Sequence, residues 1–197
     1  EWLDDPEGAL WKRSMIDDHR HTGTLPNLVR IVVGVDPAVT GSETSDETGI
    51  VVVGKDAAGH LYVLGDYSIR GTPLDWARQV AWAVDKHGAD RVVGETNNGG
   101  DLVEVNLRTV SKNLPFKKVT ASRGKYIRAE PVAALYEKGE VHHVGAFPEL
   151  EDQMCEWLPG DESPDRMDAL VWAITELASG PGHVTIPKEW LSFGGRA

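Results

Sequence analysis

The chain has 197 residues, 41% of them apolar and 26% charged, which fits one independently folding globular domain. Its apolar runs are strand-length, well short of the roughly 20 residues a membrane-spanning helix needs. The opening Glu1-Trp2-Leu3-Asp4-Asp5 is acidic where a secretory leader is basic. With the lone Cys155 unable to form an internal disulfide, the expectation is a cytoplasmic protein with no membrane partner.

A net charge of −11 argues against a nucleic-acid partner, but the charge is unevenly spread. Between Arg108 and Lys138, eight basic residues (Arg108, Lys112, Lys117, Lys118, Arg123, Lys125, Arg128, Lys138) face two acids (Glu130, Glu137). That window is therefore +6 and the remainder −17. Such asymmetry suits a DNA-facing strip on an acidic body, and suits a solvated loop and helix equally well.

In chain order, residues 1–28 read as a lead-in with a short amphipathic stretch from Ala9 to Ile16. The domain proper is expected over 29–180, with a tail over 181–197. Val29 to Asp36 is almost continuously apolar, as in a central strand buried on both faces, and Pro37 ends it. A polar loop over 40–48 precedes two more strands, Gly49–Gly54 and His60–Ile69, separated by the turn-like Lys55–Gly59. Thr72-Pro73-Leu74-Asp75 opens a helix with a cap, a proline at its first position and an early acid, and Gly88 closes it.

Arg91–Glu95 is a short buried strand, followed by the Asn97-Asn98-Gly99-Gly100 turn and a helix over about Leu102–Val110. Phe116–Thr120 is expected as a strand, and Ala129–Lys138 as a helix with Pro131 in its first turn. Val141–Val144 is extended and Glu149–Trp157 helical. A last helix, capped by Ser163-Pro164, carries Met167, Leu170, Val171, Ile174 and Leu177 on one face. A meander followed by βα crossovers is the order found in ribonuclease H-like folds. The expected class is α/β, a mixed sheet of five or more strands flanked by helices.

Asp36 and Glu95 end two buried strands. If those strands are parallel neighbours, the two carboxylates meet at one sheet edge, where open α/β sheets place ligands. They repel there unless a divalent cation joins them. Asp165 and Asp168, three apart, share a face of the last helix, and Asp168 borders its apolar stripe. Singly, each acid also suits a structural role: Asp36 in a turn, Glu95 as a cap, Asp165 as a first-turn acid favoured by the helix dipole. His142 and His143, adjacent on a strand, point to opposite faces and are not expected to share a metal.

Ile31–Pro37 with Gly49–Val53 and Val92–Glu95 resemble the core of ribonuclease H-like nucleases. The segment Ser122–Gly139, then Val141–Val144, Leu150–Met154 and Ser163–Ala173, is similar to the C-terminal nuclease domain of phage and prophage terminase large subunits. The resemblance covers about Ile31 to Ala178. It implies a domain that cuts concatemeric double-stranded viral DNA with two Mg²⁺ or Mn²⁺ ions. Asp36, Glu95 and Asp168 fall on that family's metal-binding acids, and Asp165 on a position where some relatives carry a further ligand. Arg123, Lys125 and Arg128, with Lys117 and Lys118, are the expected DNA contacts.

No G-x-x-x-x-G-K-[ST] phosphate loop occurs in the sequence, so the resemblance places the packaging ATPase outside this chain, joined through the lead-in. Portal and small terminase subunit are the implied partners of the longer protein. Rival readings are a resolvase-type nuclease of the same superfamily acting on branched DNA, an actin-like phosphotransferase suggested by Thr40-Gly41, and a catalytically silent docking domain.

Overall fold

The computed structural model describes residues 5–37, 47–95, 100–120, 125–162 and 164–179. A short helix α1 (Arg13–Asp17) precedes β1 (Leu28–Asp36), β2 (Glu47–Asp56), β3 (Leu61–Asp66) and β4 (Ile69–Arg70). Then follow α2 (Pro73–His87), β5 (Arg91–Glu95), α3 (Gly100–Val110), β6 (Phe116–Val119), α4 (Lys125–Glu137), β7 (Val141–His143), α5 (Pro148–Glu156) and α6 (Asp165–Ala178). The sheet order is β6-β5-β1-β2-β3-β7, with β4 paired onto the start of β2. β1, β2 and β3 are mutually antiparallel, whereas β5 runs parallel to β1, β6 to β5 and β7 to β3. This is the ribonuclease H-like arrangement expected from the sequence.

Helices cover both sheet faces, which is why the central strands are apolar without alternation. Val32, Val51, Val53 and Val93 pack with α4, α5 and α6, while Val33, Val35, Ile50, Val52 and Val92 pack with α2 and α3. At α2 the expected start is fully formed. The Thr72 side chain accepts from the Asp75 amide, the Asp75 carboxylate accepts from the Thr72 amide, and Gly88 closes the helix at φ +60°.

Four details differ from the sequence expectation. The strand expected over His60–Ile69 is broken in two, because Asp66 Oδ1 accepts from both the amide and the hydroxyl of Ser68 and turns the chain. Helix α4 begins at Lys125, so Pro131 lies in its second turn rather than its first. The missing Pro131 N–H leaves the Ile127 carbonyl without its ladder donor, and Ile127 is exposed, so water can take that place. In α6 the N-cap position is held by Pro164, with no side-chain cap; Ser163 lies outside the described residues. Finally, the segment ahead of β1 is packed onto the sheet. Trp11 and Ile16 belong to the larger core cluster, and the His21 amide donates to the His143 carbonyl of β7 at 2.9 Å.

Among the described residues no helix is long and apolar enough to cross a membrane.

Candidate active site at the carboxyl edge of the sheet

Parallel pairing of β1 and β5 runs from Val32↔Arg91 to Val35↔Gly94, so Asp36 and Glu95 follow next in register on neighbouring strands. On its other side Asp36 lies opposite Gly49 of β2. The first turn of α6 rests directly on that glycine: a Cβ at Gly49 would stand 2.0 Å from the Asp165 carbonyl oxygen. One turn further on, a Cβ at Gly34 would stand 2.0 Å from the Ala169 carbonyl oxygen. Two missing side chains thus seat α6 on the sheet with its acidic end at the Asp36 edge. Asp168 is buried, 3% exposed, and its amide donates to the Pro164 carbonyl at 3.0 Å. Asp165 is half-buried.

Glu95 accepts a hydrogen bond on Oε2 from Arg128 Nη1 at 3.1 Å. The guanidinium of Arg128 lies 4.3 Å above the Trp172 ring of α6, a cation–π contact, and its side chain is 12% exposed. Arg128 is therefore tied to the acidic edge as well as to α4. Lys117 Nζ meets Glu176 Oε2 at 2.7 Å, and Lys118 Nζ meets Glu104 Oε2 at 2.9 Å. Lys125 is the first residue of α4. Arg123, the 40–46 part of the polar loop and the Asn97–Gly99 turn lie outside the described residues.

Sequence reasoning passed over Arg166, which sits between the two aspartates and joins Glu47, Asp66 and Glu149. A signal existed: a cation in the first turn opposes the helix dipole and needs tertiary partners to stay there. Burial disfavours its charge, and the bonds to Glu47 and Asp66 more than restore it, raising its pKa.

The two histidines of β7 do face opposite ways. His142 stacks on His60 and Tyr62, and its Nδ1 donates to the His19 carbonyl at 2.8 Å. His143 is buried between the Tyr136 hydroxyl and Glu151, each at 2.8 Å.

Among the described residues, no three His, Cys, Asp or Glu side chains are grouped so as to hold a metal ion as they lie. The donor chemistry at the edge nevertheless fits a hard divalent cation: Asp36, Glu95, Asp165 and Asp168 offer only carboxylate oxygens.

The family model of the terminase RNaseH-like domain matches residues 33–177, a span running from β1 to the end of α6. The chain belongs to that family. It is a terminase nuclease domain, of the class that cuts DNA. Solved structures share its fold at low identity. The large terminase nuclease of thermophilic phage G20c, in its form with bound cobalt, is 15% identical with a TM-score of 0.65, over 87% of this chain and 98% of that one. The nuclease domain of the Thermus phage P74-26 large terminase is 15% identical at a TM-score of 0.60, over 78% and 83%. A large terminase from another thermophilic bacteriophage is 14% identical at 0.64; the match spans 89% of this chain and 46% of that protein. No curated protein matches in sequence.

Proposed function

We propose that this terminase nuclease domain hydrolyses phosphodiester bonds of double-stranded DNA, cutting concatemeric viral genomes in the host cytoplasm with Mg²⁺ or Mn²⁺. The observation that carries the reading is the meeting of three elements at one edge: the carboxyl ends of β1 and β5 in adjacent register, and the first turn of α6 laid over Gly49. Asp36, Glu95 and Asp168 would hold the metal, with Asp165 as a further candidate. When bound, a divalent pair supplies a hydroxide nucleophile and stabilises the leaving oxygen.

The residues of the chain do the rest. The carboxylates orient on strand ends and a seated helix, and Arg128 holds one oxygen of Glu95. Lys125 at the start of α4, with Arg123 before it and Lys117 and Lys118 on β6, forms the proposed DNA face, and DNA must share Arg128 with Glu95 and Trp172. DNA must share Lys117 and Lys118 with Glu176 and Glu104. The G20c nuclease has forms with bound magnesium, cobalt and zinc, which supports a divalent cofactor here. The match to about half of a longer large terminase supports a longer parent protein, to which we assign an ATPase domain and, as partners, portal and small subunit.

Incubation with supercoiled plasmid tests the proposal. Cleavage is expected with Mn²⁺ or Mg²⁺, none in EDTA, and none in Asp36→Asn, Glu95→Gln or Asp168→Asn. Wild-type cleavage by a folded Asp36→Asn protein would overturn it, and a wild type that binds DNA without cutting would favour a silent docking domain.

A further inference from the structure

Arg166 lies in the first turn of α6 between Asp165 and Asp168, yet its side chain is only 12% exposed and reaches three other elements. Nε and Nη2 donate to Oε2 and Oε1 of Glu47, both at 2.8 Å, a two-pronged contact with the start of β2. Nη1 donates to Asp66 Oδ2 at 2.6 Å, at the end of β3, and lies 3.4 Å from Glu149 Oε2 on α5. The Arg166 amide donates to Gln153 Oε1 at 3.1 Å, and the Gln153 side-chain amide donates to Glu47 Oε2 at 3.4 Å. Glu47 precedes Gly49 by two residues on the strand that faces Asp36. One side chain therefore joins the turn that carries both aspartates to the strand paired with the β1 acid.

A planar fork on a carboxylate fixes rotation as well as distance, whereas an ammonium fixes distance alone. Rotation matters at this place. Successive helical residues are spaced by about 100°, so a small roll of α6 re-aims Asp165 and Asp168 together. Gly49 and Gly34 set how closely the helix approaches the sheet, but a glycine contact leaves roll about the helix axis to other groups.

We propose that Arg166 is a positioning residue of the acidic site. Its fork on Glu47 and its bond to Asp66 set the rotation of the first turn of α6, and with it the placement of Asp165 and Asp168 against Asp36. The role rests on the metal-dependent reading above. Its rival is simple charge balance, in which Arg166 only neutralises Glu47, Asp66 and Glu149. Lysine separates the two, because it keeps the charge and loses the fork.

The test is calorimetric titration of Mn²⁺ into the 197-residue chain without DNA, for wild type, Asp36→Asn, Arg166→Lys and Glu47→Gln. Wild type is expected to bind and Asp36→Asn to lose that binding. Arg166→Lys should bind roughly 10-fold more weakly, the usual scale for a residue that orients a ligand from behind. Glu47→Gln, which weakens the fork from the other side, should shift affinity the same way by a smaller factor. DNA affinity measured in EDTA should be unchanged in both, since Arg166 is not placed on the DNA face. Wild-type Mn²⁺ affinity in a folded Arg166→Lys protein overturns the role of Arg166. If circular dichroism shows that variant unfolded, unchanged affinity in Glu47→Gln overturns it instead. A wild type with no Asp36-dependent Mn²⁺ binding removes the metal reading and this role together, whereas unchanged variants beside a binding wild type remove only the role of Arg166.

Discussion

Both ends of α6 carry a buried acid, Glu176 at one and Asp168 at the other. At its carboxyl end Glu176, 8% exposed, is met by Arg30 at 3.0 Å, Arg91 at 2.7 Å and Lys117 at 2.7 Å. Nearby, Lys55 donates to the Leu177 carbonyl at 3.2 Å. At the amino end Arg128 meets Glu95 at 3.1 Å, and Arg166 meets Glu47 at 2.8 Å and Asp66 at 2.6 Å. The two ends lie roughly 20 Å apart, the rise of β1 from Arg30 to Asp36. A helix dipole disfavours an acid at the carboxyl end and favours one at the amino end. Glu176 thus needs its cations to stay buried, and they lock the helix to β1, β5 and β6. At the other end Arg166 ties the first turn of α6 to Glu47 on β2 and Asp66 on β3.

If α6 is a rigid bar seated at both ends, the largest effect should come from lifting it. Gly49→Ala places a methyl group 2.0 Å from the Asp165 carbonyl oxygen, which is backbone and unable to step aside alone. We expect destabilisation by about 3 kcal/mol or more, at the upper end for overpacking and well beyond the gain from reduced chain entropy. Urea unfolding measures it. A loss under about 1 kcal/mol would mean that the helix lifts freely and is not held at its amino end.

A middling effect is expected at the carboxyl end. Burial pushes the Glu176 carboxyl up, and hydrogen bonds from Lys117 and Arg91 outweigh it, holding its pKa below the usual carboxylate value. A depressed folded pKa gives stability that is present above the unfolded value and lost as pH falls through the folded one. Wild type should therefore lose stability below about pH 4.5, and Glu176→Gln should lose less over that window. At neutral pH the substitution should cost about 1–2 kcal/mol, discounted because side chains of Arg91 and Lys117 are 40% and 49% exposed. Plasmid cleavage by Glu176→Gln should persist. An identical acid profile in both proteins would detach Glu176 from the lock.

Much of this frame was legible in the sequence because it follows from period and caps. Continuous apolar runs at Val32–Val35 and Val92–Val93 required helices on both faces, and the Thr72–Asp75 box fixed the start of α2. Asp36 and Glu95 stood at strand ends, so parallel pairing alone was enough to bring them level. What escaped depends on contacts distant in the chain. Trp11 reads as part of a lead-in until Tyr136 and Trp157 close round it, with ring centroids at 6.4 and 6.5 Å. Gly34 and Gly49 look like ordinary strand glycines, and only the position of α6 explains them. Arg128 reads as part of a basic strip, whereas Glu95 and Trp172 draw it inward. Pro131 suggested a helix start because proline suits a first turn, yet an exposed carbonyl behind it tolerated a second-turn position.

The smallest effect on stability is expected at the acidic end, where the response to Mn²⁺ is decisive. Asp168 is the acid to choose, because at 3% exposure water screens it least. Asp168→Asn keeps the shape of the side chain, and its melting temperature in EDTA should stay within a few degrees of wild type while it fails to cut plasmid. Saturating Mn²⁺ should raise the wild-type melting temperature by mass action and raise that of the variant much less. An acid serving only the dipole of α6 would leave the Mn²⁺ response intact when it is lost. Melting curves of both proteins, with EDTA and with Mn²⁺, decide between the two. An equal Mn²⁺ shift in both would take Asp168 out of the site and make Asp165 the α6 ligand to test.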